Sequence, residues 1–143
     1  MGTEIGMFAV RRSVWIDADP ARVWDEFASF ERMVEWYGTG HTLVKYEPFV
    51  GGLVETEAGE YRFAGRVLVF EPGRELTFEQ EWVGKGWRAA PRVTLRLTAV
   101  QGGTLVELFH HGFERTGEDP GEALIGFENG WTLRQLEALR AVV

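Results

Sequence analysis

Three polar residues, Arg12, Gln80 and His110, fall at positions where strand alternation predicts an inward-pointing side chain. Successive side chains of a strand point to opposite faces, so each of the three should share a face with apolar neighbours. A buried guanidinium needs a partner, so Arg12 is expected to form an ion pair, to lie near the sheet's end, or to hold a ligand carboxylate. Gln80 and His110 should either satisfy internal hydrogen bonds or orient a ligand.

Histidine offers the best candidate for acid–base chemistry in this chain, since it titrates near neutral pH. That role falls to His110 if the protein is an enzyme. The adjacent His111 should face the other side of the strand, and His41 is remote in sequence, so no three-histidine zinc site is expected. The chain has no cysteine, which excludes disulfides, thiolate nucleophiles and cysteine–zinc sites. We therefore expect no metal ion and no cofactor.

Aromatic residues are abundant, with six tryptophans and ten phenylalanines. Those on the inward faces of the strands and of the last helix should converge, either as plain core or as the wall of a pocket. A curved sheet is not filled by one helix, so a cavity of ~300–1,000 Å³ is predicted. The predicted ligand-binding residues are Arg12, Trp36, His41, Phe63, Phe78, Gln80, Trp82, Trp87, Arg88, Leu95, Leu108, His110, Phe127 and Trp131.

Two loops are candidates for the mouth of that pocket. The loop that runs from Trp82 to Pro91 is either a long hairpin turn with an exposed tryptophan or a flap. In the flap interpretation, Trp87 closes over the ligand and Arg88 reaches an anion. Gly38-Thr39-Gly40-His41 could form the opposite lip.

Two glycines, Gly126 and Gly130, are spaced four apart on the predicted last helix. They either allow close approach of the helix to the sheet or leave room for a ligand beside Trp131. Close packing is the favoured prediction of the two.

The whole chain has the composition of an ordinary globular protein. It has 143 residues, 45% of them hydrophobic, and a net charge of −7. This length suits one domain over residues 1–143. The acidic charge argues against nucleic-acid partners. We see no signal peptide and no apolar run long enough to span a bilayer, so a cytoplasmic monomer or homodimer is expected.

Periodicity predicts an α+β fold in the order β-α-α-β(5–6)-α. An alternating strand at 7–17 is followed by a helix that starts at Asp19-Pro20 and a second short helix closed by Gly38. A meander of strands occupies 39–113, with one apolar face and one wet face. A long helix from Pro120 to about Ala141 should bury its apolar stripe on that sheet.

Several short stretches resemble one superfamily along nearly the whole chain: Ala18-Asp19-Pro20-Ala21-Arg22-Val23-Trp24, Phe49-Val50-Gly51-Gly52, Glu71-Pro72-Gly73-Arg74, His111-Gly112-Phe113 and Gly130-Trp131. In this order they resemble the START-like superfamily, also called the SRPBCC or birch-pollen-allergen fold. The nearest branch is the AHSA type, named for activators of a heat-shock ATPase, close to polyketide cyclase/dehydrase-like proteins. The resemblance implies a helix-grip fold with an internal cavity.

Members of this superfamily bind lipids, sterols, polyketides or plant hormones, and some are cyclases or bind a chaperone. The resemblance therefore implies three functions, since a fold alone does not fix one. The favoured function is binding of a small hydrophobic ligand, lipid-like or polyketide-like, in an aromatic-lined cavity. The second is a cyclase or dehydratase that uses His110 with Gln80 or Arg12. The third is activation of a heat-shock ATPase.

Overall fold

The computed structural model describes residues 3–38, 41–128 and 131–143. Strands and helices follow one another in the order β1 (Ala9–Ile16), α1 (Pro20–Trp24), a 3-10 turn (Asp25–Phe27), α2 (Phe30–Tyr37), β2 (Thr42–Tyr46), β3 (Leu53–Ala58), β4 (Tyr61–Glu71), β5 (Glu75–Glu79), β6 (Glu81–Trp82), β7 (Arg92–Val100), β8 (Gly103–His111), a second 3-10 turn (Phe113–Arg115), α3 (Pro120–Glu128) and α4 (Arg134–Val142).

The strands form one antiparallel sheet in the order β1-β8-β7-β5-β4-β3-β2, and the short β6 pairs with β4. The sheet curls into a half-barrel. The final helices lie inside the curl, where α3 contacts β1 and α4 contacts both β1 and α2. This arrangement confirms the predicted α+β helix-grip fold.

The predicted helix starts are also confirmed. The Asp19 carboxylate accepts a hydrogen bond from the Arg22 backbone N–H, and Pro20 is the first residue of α1. Asp119 does the same for Glu122 before α3, which begins at Pro120. A short polar side chain at this position satisfies a backbone donor that the helix leaves free.

The prediction of one continuous final helix is wrong. α3 ends at Glu128 and α4 begins at Arg134, where the Thr132 hydroxyl accepts a hydrogen bond from the Arg134 backbone N–H. A hydroxyl that binds the backbone locally competes with helix continuation and favours a new helix start. No helix in the described part of the chain has the length and apolar character needed to cross a membrane.

A bulge in β4 changes which of its side chains point inward. The register of β4 against β5 shifts between Val67 and Val69. An extra residue in one strand reverses the alternation beyond it. Val69, which strict alternation places inward, is therefore only half-buried, and Phe70 packs against the core, with its ring 5.3 Å from that of Trp24.

Alternation predicted a solvent-exposed outer face for the sheet, but part of this face is buried. Glu75, Thr77, Thr94 and His111 lie on it and are all buried. Hydrogen bonds join Thr77 to Glu75 (2.8 Å), Thr77 to Thr94 (2.9 Å) and Thr94 to Nε2 of His111 (2.8 Å). The N-terminal segment helps to cover this face, because Thr3 donates to the Glu75 carboxylate through both its hydroxyl and its backbone N–H.

Candidate functional site

A cavity of about 290 Å³ opens between the β3–β4–β6 end of the sheet, the end of α2 and the inner side of α3. Its lining is mostly aromatic, with a few neutral polar groups. The lining residues are Tyr37, His41, Thr56, Ala58, Tyr61, Phe63, Gln80, Trp82, Gly126, Phe127 and Trp131. Six of these, His41, Phe63, Gln80, Trp82, Phe127 and Trp131, belong to the set named from the sequence.

Small side chains explain why this space is not filled. Along the inward face of β3, the buried Val54 is followed by Thr56 and Ala58, which reach less far into the curl of the sheet. On the opposite side, Gly126 of α3 presents no side chain, and a Cβ added there would meet no atom within 4 Å. Gly126 is exposed at the edge of the cavity and touches no residue of the sheet, so the prediction that it packs closely on the sheet is wrong. Gly130 lies outside the described residues.

Aromatic rings form one wall of the cavity. Phe63 and Trp82 are direct cross-strand partners on β4 and β6, and their ring centroids lie 5.8 Å apart. Phe127 of α3 lies 6.0 Å from each of these rings. Edge-to-face packing at these separations is favourable and holds the rings in fixed positions. The sheet and α3 therefore present a rigid aromatic surface to the cavity.

Tyr37, His41 and Trp131 form the facing wall. The Tyr37 ring lies 5.2 Å from the His41 ring and 6.1 Å from the Trp131 ring, and His41 and Trp131 are 6.3 Å apart. Burial, together with the nearby Arg134 guanidinium, lowers the pKa of His41, so its ring is neutral at neutral pH. Burial raises the pKa of the Tyr37 hydroxyl, which therefore keeps its proton.

Three buried polar side chains of the lining make no hydrogen bond to any described residue: Tyr37, Thr56 and Gln80. All three are buried, with exposures of 1%, 6% and 9%. Buried polar groups in folded proteins are nearly always hydrogen-bonded, to protein, water or ligand. These side chains can therefore donate to and accept from a molecule inside the cavity.

His110 lies behind the cavity wall. Its Nδ1 accepts a hydrogen bond of 2.8 Å from the indole Nε1 of Trp131, and the ring is fully buried. Burial, with a contribution from His111, lowers the pKa of His110 to about 3. At neutral pH this uncharged ring holds the Trp131 indole in place. His111 faces the opposite side of β8, as its adjacent position in the strand predicted.

Arg12 binds the backbone of the final helical region. Its guanidinium donates to the Trp131 carbonyl (3.0 Å), the Glu128 carbonyl (3.2 Å) and the Arg11 carbonyl (2.8 Å). A cation at a helix C-terminus satisfies carbonyls that have no partner within the helix. Arg12 therefore stabilises the end of α3. It is not part of the cavity lining, and its donors already have acceptors.

The loop after β6 packs beside the cavity. The half-buried Trp87 ring lies 6.2 Å from that of Trp82 and 6.0 Å from that of Phe127. Arg88 is exposed, and its backbone N–H donates to the Thr116 carbonyl at 2.9 Å, which anchors the loop. Neither side chain belongs to the lining. Of the proposed opposite lip, Thr39 and Gly40 lie outside the described residues.

Four other residues named from the sequence lie in the hydrophobic core: Trp36, Phe78, Leu95 and Leu108. The Trp36 indole donates to the Glu26 carbonyl at 3.0 Å, and the Phe78 ring packs on Tyr37. Phe78, Leu95 and Leu108 have the inward direction that strand alternation predicted. They sit deeper than the cavity, where facing side chains fill the space.

Sequence analysis missed Tyr37, Thr56, Ala58 and Tyr61 as lining residues. One signal was present for β3. Val54, Thr56 and Ala58 share one face of the strand, and their size decreases towards its end. A strand that points small residues into a curved sheet leaves volume there, because only side chains fill such a core.

Solved structures show the same fold. CalU16 from Micromonospora echinospora is 27% identical, with a TM-score of 0.63 over 92% of this chain and 71% of that chain. DynU16, a protein from the dynemicin biosynthetic locus, is 21% identical, with a TM-score of 0.71 over 95% of this chain and 47% of that chain. The Aha1 dimer from Colwellia psychrerythraea is 12% identical, with a TM-score of 0.70 over 94% and 96%.

No curated protein matches this chain. The family model described as "Activator of Hsp90 ATPase homolog 1-like protein" matches residues 17–143, which is most of the sequence. The match confirms the AHSA-type branch that the sequence stretches had indicated. The chain therefore belongs to the family of Activator of Hsp90 ATPase homolog 1-like proteins.

Proposed function

We propose that the protein binds a small, largely apolar organic molecule in the cavity beneath α3. The aromatic-lined cavity of about 290 Å³ carries this proposal. Gly126 borders this cavity at its exposed edge, where an added Cβ would meet no atom within 4 Å. Protein interiors are normally close-packed, so unfilled volume beside a helix needs an explanation. A ligand supplies one.

The chemistry of the lining supports an apolar ligand with some polar substitution. Phe63, Trp82 and Phe127 offer ring faces and edges to a flat or apolar molecule. Thr56 and Gln80 add hydrogen-bonding groups that have no partner among the residues the structure describes. Ligand sites in proteins typically combine mostly apolar walls with a few convergent polar groups.

The geometry favours binding over catalysis at His110. A general base must reach the proton that it removes, and its pKa should lie near the working pH. His110 lies behind Trp131 rather than in the lining, and its pKa is lowered to about 3. The binding proposal depends on the cavity alone and needs neither catalysis nor the ATPase activation that the family's description names. A monomer or a homodimer is compatible with it.

A calorimetric titration with 2-naphthol tests the proposal, because this neutral two-ring molecule suits the volume and the walls. The wild-type protein and Gly126→Ala should bind it. Gly126→Leu should bind it at least tenfold more weakly, since the leucine side chain extends into the open space. Ile125→Leu, a change at the exposed neighbour on α3, should leave binding unchanged.

The thermal unfolding temperature is measured on the same four proteins. Glycine is unfavourable within a helix, so Gly126→Ala should raise the free energy of unfolding by about 0.5–1 kcal/mol. Gly126→Leu should unfold at or above the wild-type temperature, which separates loss of binding from loss of folding. Equal naphthol affinity in the wild type and Gly126→Leu would contradict the proposal.

A further inference from the structure

We infer that the cavity selects an uncharged molecule of two-ring size that carries hydrogen-bonding substituents, and excludes carboxylates and amines. This inference rests on the proposed binding function and narrows its ligand class. Three observations carry it: the cavity volume, the absence of charge among the lining residues, and the unpaired polar groups on both walls.

The volume limits the size of the ligand. The cavity holds about 290 Å³. A benzene-sized molecule occupies an engineered apolar cavity of about 150 Å³ in another protein. Roughly twice that volume accommodates two fused rings with small substituents. A long acyl chain would extend beyond it, so the lipid-like part of the sequence prediction is not the class we infer.

The lining contains no aspartate, glutamate, lysine or arginine among its eleven described residues. The nearby cations have other partners. Arg12 binds three backbone carbonyls, the Arg134 side chain binds the Thr132 hydroxyl, and the Nζ of the exposed Lys85 lies 4.9 Å from the centre of the Trp82 ring. A charged ligand would give up its hydration without gaining a counter-charge in the lining, which is strongly unfavourable.

The polar groups require a ligand that can hydrogen-bond. Thr56 and Gln80 project from the sheet side, and Tyr37 projects from α2 on the facing side. A hydroxyl both donates and accepts, and a primary amide offers two donors and an acceptor. Water can satisfy them in the unliganded protein, but a ligand without polar groups would displace that water and leave them unpaired. A phenolic or carbonyl substituent avoids this cost.

Four probes of similar ring size separate the effect of ligand charge from the effect of hydrogen bonding at about pH 7.5: naphthalene, 2-naphthol, 2-naphthoate and 2-naphthylmethylammonium. Tryptophan fluorescence and calorimetry report their affinities. We expect 2-naphthol to bind at least tenfold more tightly than either ion, and more tightly than naphthalene. Thr56→Val and Gln80→Leu should each weaken naphthol binding by about three- to tenfold and strengthen naphthalene binding, because they remove the polar group that naphthalene leaves unpaired. Thr42→Val, at an exposed position of β2, should change neither.

The possible outcomes distinguish failure of this inference from failure of the proposed binding function. If either ion binds as tightly as 2-naphthol, selection for uncharged ligands is overturned while the binding function stands. If Thr56→Val and Gln80→Leu leave the preference for naphthol over naphthalene intact, the polar part of the inference is overturned. If none of the four probes shows saturable binding, the proposed function itself fails, and this inference fails with it.

Discussion

The indole Nε1 of Trp131 donates a 2.8 Å hydrogen bond to Nδ1 of His110, and both rings are buried. Because Nδ1 accepts this bond, the neutral imidazole carries its proton on Nε2. Nε2 is buried and has no partner within the described ranges. The pair fixes one wall of the cavity through a single polar contact, and four predictions concern it and the buried groups around the sheet.

Replacing Trp131 with phenylalanine should destabilise the fold, because it leaves the buried Nδ1 of His110 without a donor. An unsatisfied buried acceptor costs about 1–3 kcal/mol. Trp87→Phe is the matched control. The Trp87 indole nitrogen is buried and has no acceptor among the described residues. Trp87→Phe therefore replaces the same ring system without removing a hydrogen bond. Urea unfolding measures both, and equal losses would argue against the Trp131–His110 bond.

Stability should fall on acidification from about pH 7.5 to pH 5. Burial lowers the pKa of His110 to about 3, and burial with Arg92 and Arg96 lowers that of His111 to about 4. The unfolded histidines have a pKa near 6.5, so protons bind the unfolded chain first and favour it. Each histidine should contribute a loss of about 2 kcal/mol at pH 5, which levels off only near its folded pKa.

His110→Gln keeps an acceptor for the Trp131 indole and removes one titrating group. Its pH-dependent loss between pH 7.5 and pH 5 should therefore be smaller than that of the wild type by about 2 kcal/mol. Chemical unfolding at several pH values measures this difference. Parallel pH profiles of the two proteins would show that His110 is not buried as a neutral ring.

Replacing Glu75 with glutamine should destabilise the outer face of the sheet. Both carboxylate oxygens of Glu75 accept hydrogen bonds, from Thr3 and Thr77, and Arg96 lies 3.5 Å away. An amide would turn a donor towards other donors at one of these positions. Hydrogen bonds to charged groups contribute about 1.5–3 kcal/mol, so Glu75→Gln should cost about that much.

Glu71→Gln is the control for this change. Glu71 is exposed and pairs with the exposed Arg74 at 3.7 Å, a contact expected to contribute at most about 1 kcal/mol. The unfolding temperatures of the two variants should differ clearly. If Glu75→Gln is no less stable than Glu71→Gln, the hydrogen-bond network on the outer face does not stabilise the fold as described.

The fold was largely predictable because it depends on local signals. Asp19 and Asp119 mark helix starts through side-chain caps, and strand alternation identified most inward residues. The interruption between α3 and α4 was not predictable from the helical periodicity of apolar residues alone. There, Arg12 binds carbonyls more than a hundred positions away in sequence, a contact that no local pattern encodes.

The site was only partly predictable, because a cavity forms where side chains that face one another leave space between them. Strand alternation assigned Gln80 and Trp82 to the lining, and they do line the cavity, but it assigned Leu95 and Leu108 equally well, and these are core. Which inward residues border open space depends on the residues opposite them.

Nuclear Overhauser contacts between bound 2-naphthol and protein methyl groups test the central claim most directly. The methyls of Thr56 and Ala58 line the cavity, whereas those of Val83 and Ile125 are exposed. The cavity account predicts contacts from the naphthol ring protons to Thr56 and Ala58 that disappear in Gly126→Leu. Contacts to Val83 or Ile125 alone, or contacts that persist unchanged in Gly126→Leu, would contradict it.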